Sequence, residues 1–332
     1  MVTLASRLGR DVLRIDAARA VDSIAARIRD LVTRDMRKRG AVVGLSGGVD
    51  SSVVAALCAR ALGPDRVLGL LMPERESAVE TLELGDLAAR SAGIPTVLED
   101  ITPILDAAGC YQRRDVAIRS LIPEYGTGWK AKVALPSVVD GDQYRIFSVV
   151  ARGPNGEEKR ARVTPSAYLE LVAATSFKQR TRKMMEYYHA DRLNYAVAGT
   201  PNRLEYDQGF FVKNGDGAAD IKPIAHLYKT QVYQLAEYLK VPDAIRTRPP
   251  TTDTYSLPQT QEEFYFSLPY DKMDLCLYAR SNNVAAAEVG AVLALSEEQV
   301  DRVFRDIDAK RRASRYLHLA PQLVAETADT VS

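Results

Sequence analysis

The run Ser46-Gly47-Gly48-Val49-Asp50-Ser51-Ser52 joins glycines, hydroxyls and one carboxylate in adjacent positions. Gly47 and Gly48 let the backbone take left-handed torsions and approach a ligand closely. The exposed amides of such a turn, followed by a helix N-terminus, form an anion site. Ser46, Ser51 and Ser52 add hydroxyl donors. Asp50 alone would repel a phosphate, and a Mg²⁺ ion bridging the two removes that conflict. A tight strand-to-helix turn with a good helix start is the plainer reading of the same residues. Further along, Glu205 is a second carboxylate that, like Asp50, sits at the C-terminal end of a predicted strand. The pair can share a divalent ion in the crevice where α/β folds bind ligands. Lys213 and Lys229 can neutralise phosphoryl charge as it develops, although Lys213 also reads as a solvated loop lysine. Arg182 and Lys183 read as the polar face of a helix.

The elements that must position these groups follow from the apolar pattern. Ile24, Ile28, Leu31 and Val32 recur at helical spacing, predicting a helix over 16–38 that Gly40 stops. Apolar strands are predicted at 41–45, 66–72, 94–100 and 194–199. Helices are predicted at 53–62, 79–91, 166–189 and 229–240, and again from about Asp271 onward. Strands that alternate with helices and are apolar throughout predict an α/β fold. Its sheet should be mostly parallel and doubly wound, with helices on both faces. The rhythm breaks over 126–165. There Tyr144–Arg152 and Glu157–Val163 flank a Gly-Pro-Asn-Gly turn, predicting an inserted β-hairpin within one domain spanning 1–332. Residues 247–269, with Pro249, Pro250, Pro258 and Pro269, read as a long loop.

With strand, loop and helix in place, Ser46–Ser52 resembles the SGG-x-DS signature of the ATP-pyrophosphatases. Lysine does not follow a glycine there as in the Walker loop. Later segments narrow the resemblance to the NAD synthase family, of the ammonia-dependent type. They are KQRTRKM at 178–184, GTPNRLE at 199–205, GFFVKNGDGAAD at 209–220, Lys229 and PTTD at 250–253. The resemblance implies a dimeric, AMP-forming carbon–nitrogen ligase that amidates deamido-NAD with ammonia, using ATP and Mg²⁺. It implies ATP contacts from Ser46, Gly47, Gly48, Val49, Asp50, Ser51, Ser52, Thr200, Lys229 and Thr251. It places metal on Asp50 and Glu205, catalytic charge on Asp50, Lys213 and Lys229, and substrate contacts on Arg180, Lys213, Asp220 and Lys310.

Three departures bear on the acceptor. They are the 126–165 insertion, the extended loop after Thr251, and Ala309 standing before Lys310 where the family often has a histidine. The same chemistry on another small carboxylate, a sugar acid or a biosynthetic intermediate, is the alternative. A tRNA-modifying pyrophosphatase needs a basic face and commonly paired cysteines. Here 44 Lys and Arg balance 43 Asp and Glu, and Cys58, Cys110 and Cys276 are scattered, which argues against nucleic acid. A non-catalytic nucleotide-binding regulator fits poorly with two metal carboxylates. No cysteine has a glutaminase context, so ammonia comes free or from a separate partner. No apolar run approaches the length of a membrane span, and the N-terminus does not read as a signal peptide, so a cytoplasmic location is expected. His189, His226 and His318 lack metal-ligand spacing, and Tyr265, Phe266 and Tyr270 read as loop packing.

Overall fold

A computed structural model describes residues 8–135, 147–250, 255–257, 259–266 and 268–324. Its main sheet has four parallel strands: β1 (Ala41–Gly44), β2 (Val67–Leu71), β3 (Thr96–Leu98) and, much later in the chain, a strand at Ala196–Ala198. Between them come α1 (Ala17–Asp30, prolonged by a wide turn over Leu31–Asp35), α2 (Val49–Leu62), α3 (Val79–Ala92), α4 (Thr102–Ala107) and α5 (Cys110–Arg119). A second, antiparallel sheet follows: β4 (Lys130–Ala134), β5 (Ser148–Arg152) and β6 (Glu158–Arg162). Then α6 (Pro165–Leu193) leads into the fourth parallel strand, β7. The chain continues through α7 (Arg203–Gln208), α8 (Lys229–Tyr238), α9 (Asp243–Arg246), α10 (Tyr270–Ser281), α11 (Ala286–Leu293) and α12 (Glu297–Ser314).

The spatial order is β3-β2-β1-β7, with Ala41 opposite both Val67 and Ala196. The chain therefore leaves β1 toward one edge and returns on its other side, and the β1/β7 boundary is the switch point where open α/β sheets bind ligands. Pleating explains why β1 is apolar throughout. Ala41 and Val43 pack with α1, α2 and α8 through Val21, Ile28, Val53, Leu57, Val232 and Leu235. Val42 faces the opposite layer, with Ile101, Leu105, Tyr111 and Ala190. Helix α1 spends its apolar stripe here, since Val21, Ile24, Ala25 and Ile28 are all buried within the chain.

The inserted region is a three-stranded sheet where the sequence predicts a hairpin. The Gly-Pro-Asn-Gly turn is present, with Gly153 N donating to Glu157 O at 2.8 Å and Gly156 at φ +87°. The added strand, β4, has a short alternating pattern that the loop-like surroundings disguise. A lone hairpin is marginal in water. This sheet docks by burying Ala131, Val133, Val149 and Ala151 against Ala117 and Ile118 of α5 and Leu171 of α6. The start of the first predicted strand, Tyr144 to Ile146, lies outside the described residues.

Candidate active site

The phosphate-loop segment turns sharply out of β1. Gly47 sits at φ +69°, where a Cβ would lie 2.8 Å from both the Thr81 carbonyl oxygen and Leu84 Cβ, so only glycine fits. Serines brace the turn. Ser51 Oγ and Ser52 Oγ donate to the Gly48 carbonyl at 3.1 and 2.8 Å, and Gly48 N donates to Ser46 Oγ at 3.4 Å. The first helical bond of α2 is Ser52 N to Gly48 O, at 3.2 Å. The amides of Val49, Asp50 and Ser51 therefore lie ahead of the helical ladder at the positive end of the helix dipole.

Asp50, in the first turn of α2, pairs with Lys229 at the start of α8, and the lysine side chain is only 1% exposed. Asn202, fully buried, donates from Nδ2 to Asp50 Oδ1 at 3.3 Å. Its Oδ1 accepts from Glu205 N at 3.1 Å, while Glu205 Oε2 accepts from Asn202 N at 3.1 Å. This capping box fixes the start of α7 and turns Glu205 toward the Asp50 pair. Burial and the negative charge of Asp50 push Glu205 up to about 8, against the pull of Lys229. Burial opposes the charge on Lys229, but Asp50 and Glu205 outweigh it and raise its pKa. Among the described residues no group of three or more His, Cys, Asp or Glu converges. Two carboxylates nonetheless suit Mg²⁺, which commonly takes one or two from the protein and completes its shell with water and substrate phosphates.

Two cavities meet at Ser46. One, of about 80 Å³, is lined by Gly48, Val49, Asp50, Lys229 and Tyr233 on the α2/α8 side. The other, of about 150 Å³, lies over the ends of β1 and β2, with Leu45, Leu71, Met72, Arg182, Glu186 and Thr200 on its walls. The structure thus gathers Ser46, Gly48, Val49, Asp50 and Lys229 in one chamber and places Thr200 in the other.

Arg180, Lys213, Asp220 and Lys310 lie on the walls of neither cavity. Arg180 Nε donates to the Lys213 carbonyl at 3.3 Å. Lys213 Nζ donates to the carbonyls of Tyr316 and Leu319 at 2.8 and 3.2 Å. Asp220 accepts from Val197 N at 2.7 Å and from the Tyr187 hydroxyl at 3.3 Å. Arg180, Lys213 and Asp220 are thereby all tied to α6. Lys310 bonds the Tyr265 carbonyl at 2.6 Å and pairs with Asp306. Thr251 lies outside the described residues. Lys183 is not on a solvated helix face. It is buried in an ion pair with Glu186 at 2.5 Å, because α6 is covered along most of its length. Arg182 likewise faces the larger cavity, donating to the Met72 carbonyl at 3.3 Å. His189 is a core histidine bonded to Glu99, and Phe266 and Tyr270 are buried in packing, Phe266 from the loop and Tyr270 as the first residue of α10, against the core of α10 and α12.

Sequence reasoning missed Asn202, although the Asn-x-x-Glu spacing after a strand is a capping signal. It also missed the buried cluster in which Lys178 Nζ meets Glu74 and Glu76 at 2.8 Å each, and Arg114 meets Glu76 at 2.5 Å. That cluster ties the segment after β2 to α5 and α6.

A family model described as NAD synthase matches residues 20–118 and 153–314. The gap falls on the β4 and β5 part of the insertion. The chain is 61% identical over 314 residues to the NH(3)-dependent NAD(+) synthetase of Rhizobium meliloti, covering 95% of this chain and 94% of the relative. Among solved structures, an NMN synthetase from Francisella tularensis matches with a TM-score of 0.63 at 21% identity, over 94% of this chain and 100% of that one. An NH3-dependent NAD synthetase from Campylobacter jejuni matches with a TM-score of 0.61 at 22% identity, over the same shares. At those identities the structural likeness establishes the fold.

Proposed function

The chain belongs to the NAD synthase family, and we propose on that premise that it converts deamido-NAD, ammonia and ATP into NAD, AMP and pyrophosphate. The reading rests on the convergence of Asp50, Lys229 and Glu205 at the N-terminus of α2, in a chain 61% identical to an NH(3)-dependent NAD(+) synthetase. The substrate carboxylate attacks the ATP α-phosphate and pyrophosphate leaves. Ammonia then attacks the acyl carbon of the acyl-adenylate, and AMP leaves.

The chain's own groups divide this work. The amides of the Ser46–Ser52 segment and the α2 dipole bind phosphate, and the serine braces keep them aimed without reorganisation. Lys229 supplies buried positive charge beside the leaving pyrophosphate. The β1/β2 cavity with Thr200 takes the nucleoside. Arg180, Lys213 and Asp220, gathered around α6, serve the acceptor side, and Lys310 acts there through the loop it holds. Asp50 and Glu205 hold Mg²⁺ when it binds, and the ion supplies neutralisation of the triphosphate charge. Thr251 belongs to the ATP contacts by its place after Pro250.

The enzyme works as a homodimer in the cytoplasm, where three buried, unpaired cysteines stay reduced. Its apolar contact surface is on α5 and α6, where Val116, Leu169, Met184 and Tyr188 are exposed. The stripe of α1 is already spent inside the chain. Ammonia enters free or from a separate supplier. Among the described residues no helix is long and apolar enough to cross a membrane.

The test is stoichiometry. The full chain with ATP, an ammonium salt and deamido-NAD should yield NAD, AMP and pyrophosphate in equal amounts. ADP and orthophosphate as the matched products would refute the cleavage site. Turnover of a sugar acid in place of deamido-NAD would refute the acceptor.

A further inference from the structure

We infer that Arg248 is a pyrophosphate-binding residue, holding the distal phosphates of ATP and the pyrophosphate they become. The inference rests on the ATP cleavage proposed above.

The two cavities share Ser46 and diverge from it. A nucleoside in the larger one sends its polyphosphate past Ser46 into the smaller one, whose lining then faces the β- and γ-phosphates. Arg248 is part of that lining, with Pro249 and Pro250, and its guanidinium reaches Thr81 on the wall of the larger cavity. Its guanidinium is half-buried, and its hydrogen bond is to the neutral Thr81 hydroxyl, at 3.3 Å. No carboxylate partners it among the described residues. The acid on α9, Asp243, is taken by Arg246.

Charge accounting sharpens the point. Lys229, the other cation of the chamber, is already paired with Asp50, and Glu205 lies close by. Before Mg²⁺ binds, the protein's own charge in the chamber is therefore neutral or negative without Arg248, which suits a polyanion poorly. Arg248 supplies the unmatched positive charge, and its planar fork can meet two phosphate oxygens at once. The backbone is prepared for this. A residue before proline is confined to extended torsions, and here two prolines follow in succession, so the backbone from which the side chain projects is restrained. Because negative charge builds on the leaving pyrophosphate, the contact strengthens in the transition state.

The experiment uses the full chain, with inorganic pyrophosphate in magnesium buffer and AMP as separate calorimetric titrants, beside ATP kinetics. R248A should weaken pyrophosphate binding and lower kcat/KM for ATP by roughly tenfold to a hundredfold, the span of a charge-assisted contact. AMP affinity and the KM for deamido-NAD should stay within about twofold. R248K should recover part of the loss, and T81V, which removes the arginine's hydroxyl partner, should leave pyrophosphate affinity intact. The inference is overturned if R248A binds pyrophosphate like the wild type. It is equally overturned if R248A loses AMP and pyrophosphate alike, or if T81V reproduces R248A, since the arginine would then be a strap between α9 and α3. Failure of the underlying reading looks different, because the wild type itself would then not exchange pyrophosphate into ATP.

Discussion

Asn202 reaches across the switch point to Asp50. Its side-chain amide donates to the carboxylate at 3.3 Å, while its side-chain oxygen caps the helix that carries Glu205. One buried amide thus aligns two acids that come from opposite sides of the β1/β7 boundary, 155 residues apart in sequence. An aspartate at 202 could serve as the cap but not as the donor. N202A should cost about 1–2 kcal/mol from the lost cap and lower activity as Asp50 loses its orientation. N202D should keep the cap but set a third carboxylate in the site, and so lose more activity than N202A. Denaturant unfolding beside steady-state rates measures both, and an N202D enzyme as fast as the wild type would show that the donor role is unimportant.

The Asp50–Lys229 pair separates stability from chemistry. From sequence alone, D50N is expected to abolish adenylation with little loss of fold. The structure changes the second half of that expectation, because Lys229 is only 1% exposed and D50N leaves it without its partner. D50N should cost about 3–5 kcal/mol as well as activity. The double variant D50N/K229M should regain most of the stability and none of the activity. E205Q should abolish AMP release while folding as well as the wild type, since a glutamine oxygen can still accept from Asn202 N. Thermal melts alongside AMP release test all three variants.

Glu205 should give the protein a pH-dependent stability. Its folded pKa of about 8 stands above its ordinary 4.5, so folding favours the protonated form. The resulting stability is fully present below the ordinary value and is lost as pH rises through the folded one. Metal-free protein should therefore melt at lower temperature at about pH 9 than at about pH 6, and E205Q should flatten the difference. Adding Mg²⁺ should reverse the trend, because the ion binds the ionised carboxylate. A melting temperature equally insensitive to pH in wild type and E205Q would contradict the placement of Glu205.

The phosphate loop was legible because glycine at Gly47, a preceding apolar strand and a following buried helix all demand the same turn. The parallel sheet was legible because strands such as Ala41–Gly44 are apolar on both faces. Lys183 and Lys178 were not. A lysine's burial depends on a carboxylate far along the chain or hidden by the helical turn, and periodicity weighs it as solvated. Strand β4 was missed because its outward positions, Lys130 and Lys132, lie beside Trp129 and a run of turn residues. Lys213 and Lys310 show the converse: their ammonium groups hold backbone carbonyls, a job that leaves no mark in residue type.

The insertion and the long proline-rich loop, two separate departures in the sequence, are one structure. Leu257 N donates to the Ala131 carbonyl at 3.1 Å, Ala131 N donates to Ser256 Oγ at 2.9 Å, and Gln259 Nε2 donates to the Val133 carbonyl at 2.7 Å. The loop therefore rides on β4. A few residues on, Gln261 N bonds the Pro250 carbonyl at 3.1 Å, and both residues line the phosphate chamber. The antiparallel sheet is thus a prop beneath one wall of the ATP site as well as a neighbour of α6. From sequence alone it is expected to reshape the acceptor pocket or cover a dimer's substrate groove and leave the ATP site alone, with a surface decoration as the equal alternative. The contacts extend that expectation to the nucleotide. S256A/Q259A removes two side-chain bonds to β4 and should lower stability by about 1–3 kcal/mol. It should also raise the KM for ATP several-fold, with a smaller effect on deamido-NAD. Replacing residues 140–163 with a Gly-Ser linker removes β5 and β6, uncovers Ala117, Ile118 and Leu171, and should impair both substrates together. If S256A/Q259A leaves the ATP KM unchanged, the loop keeps its wall without the sheet, and the insertion serves the acceptor side alone.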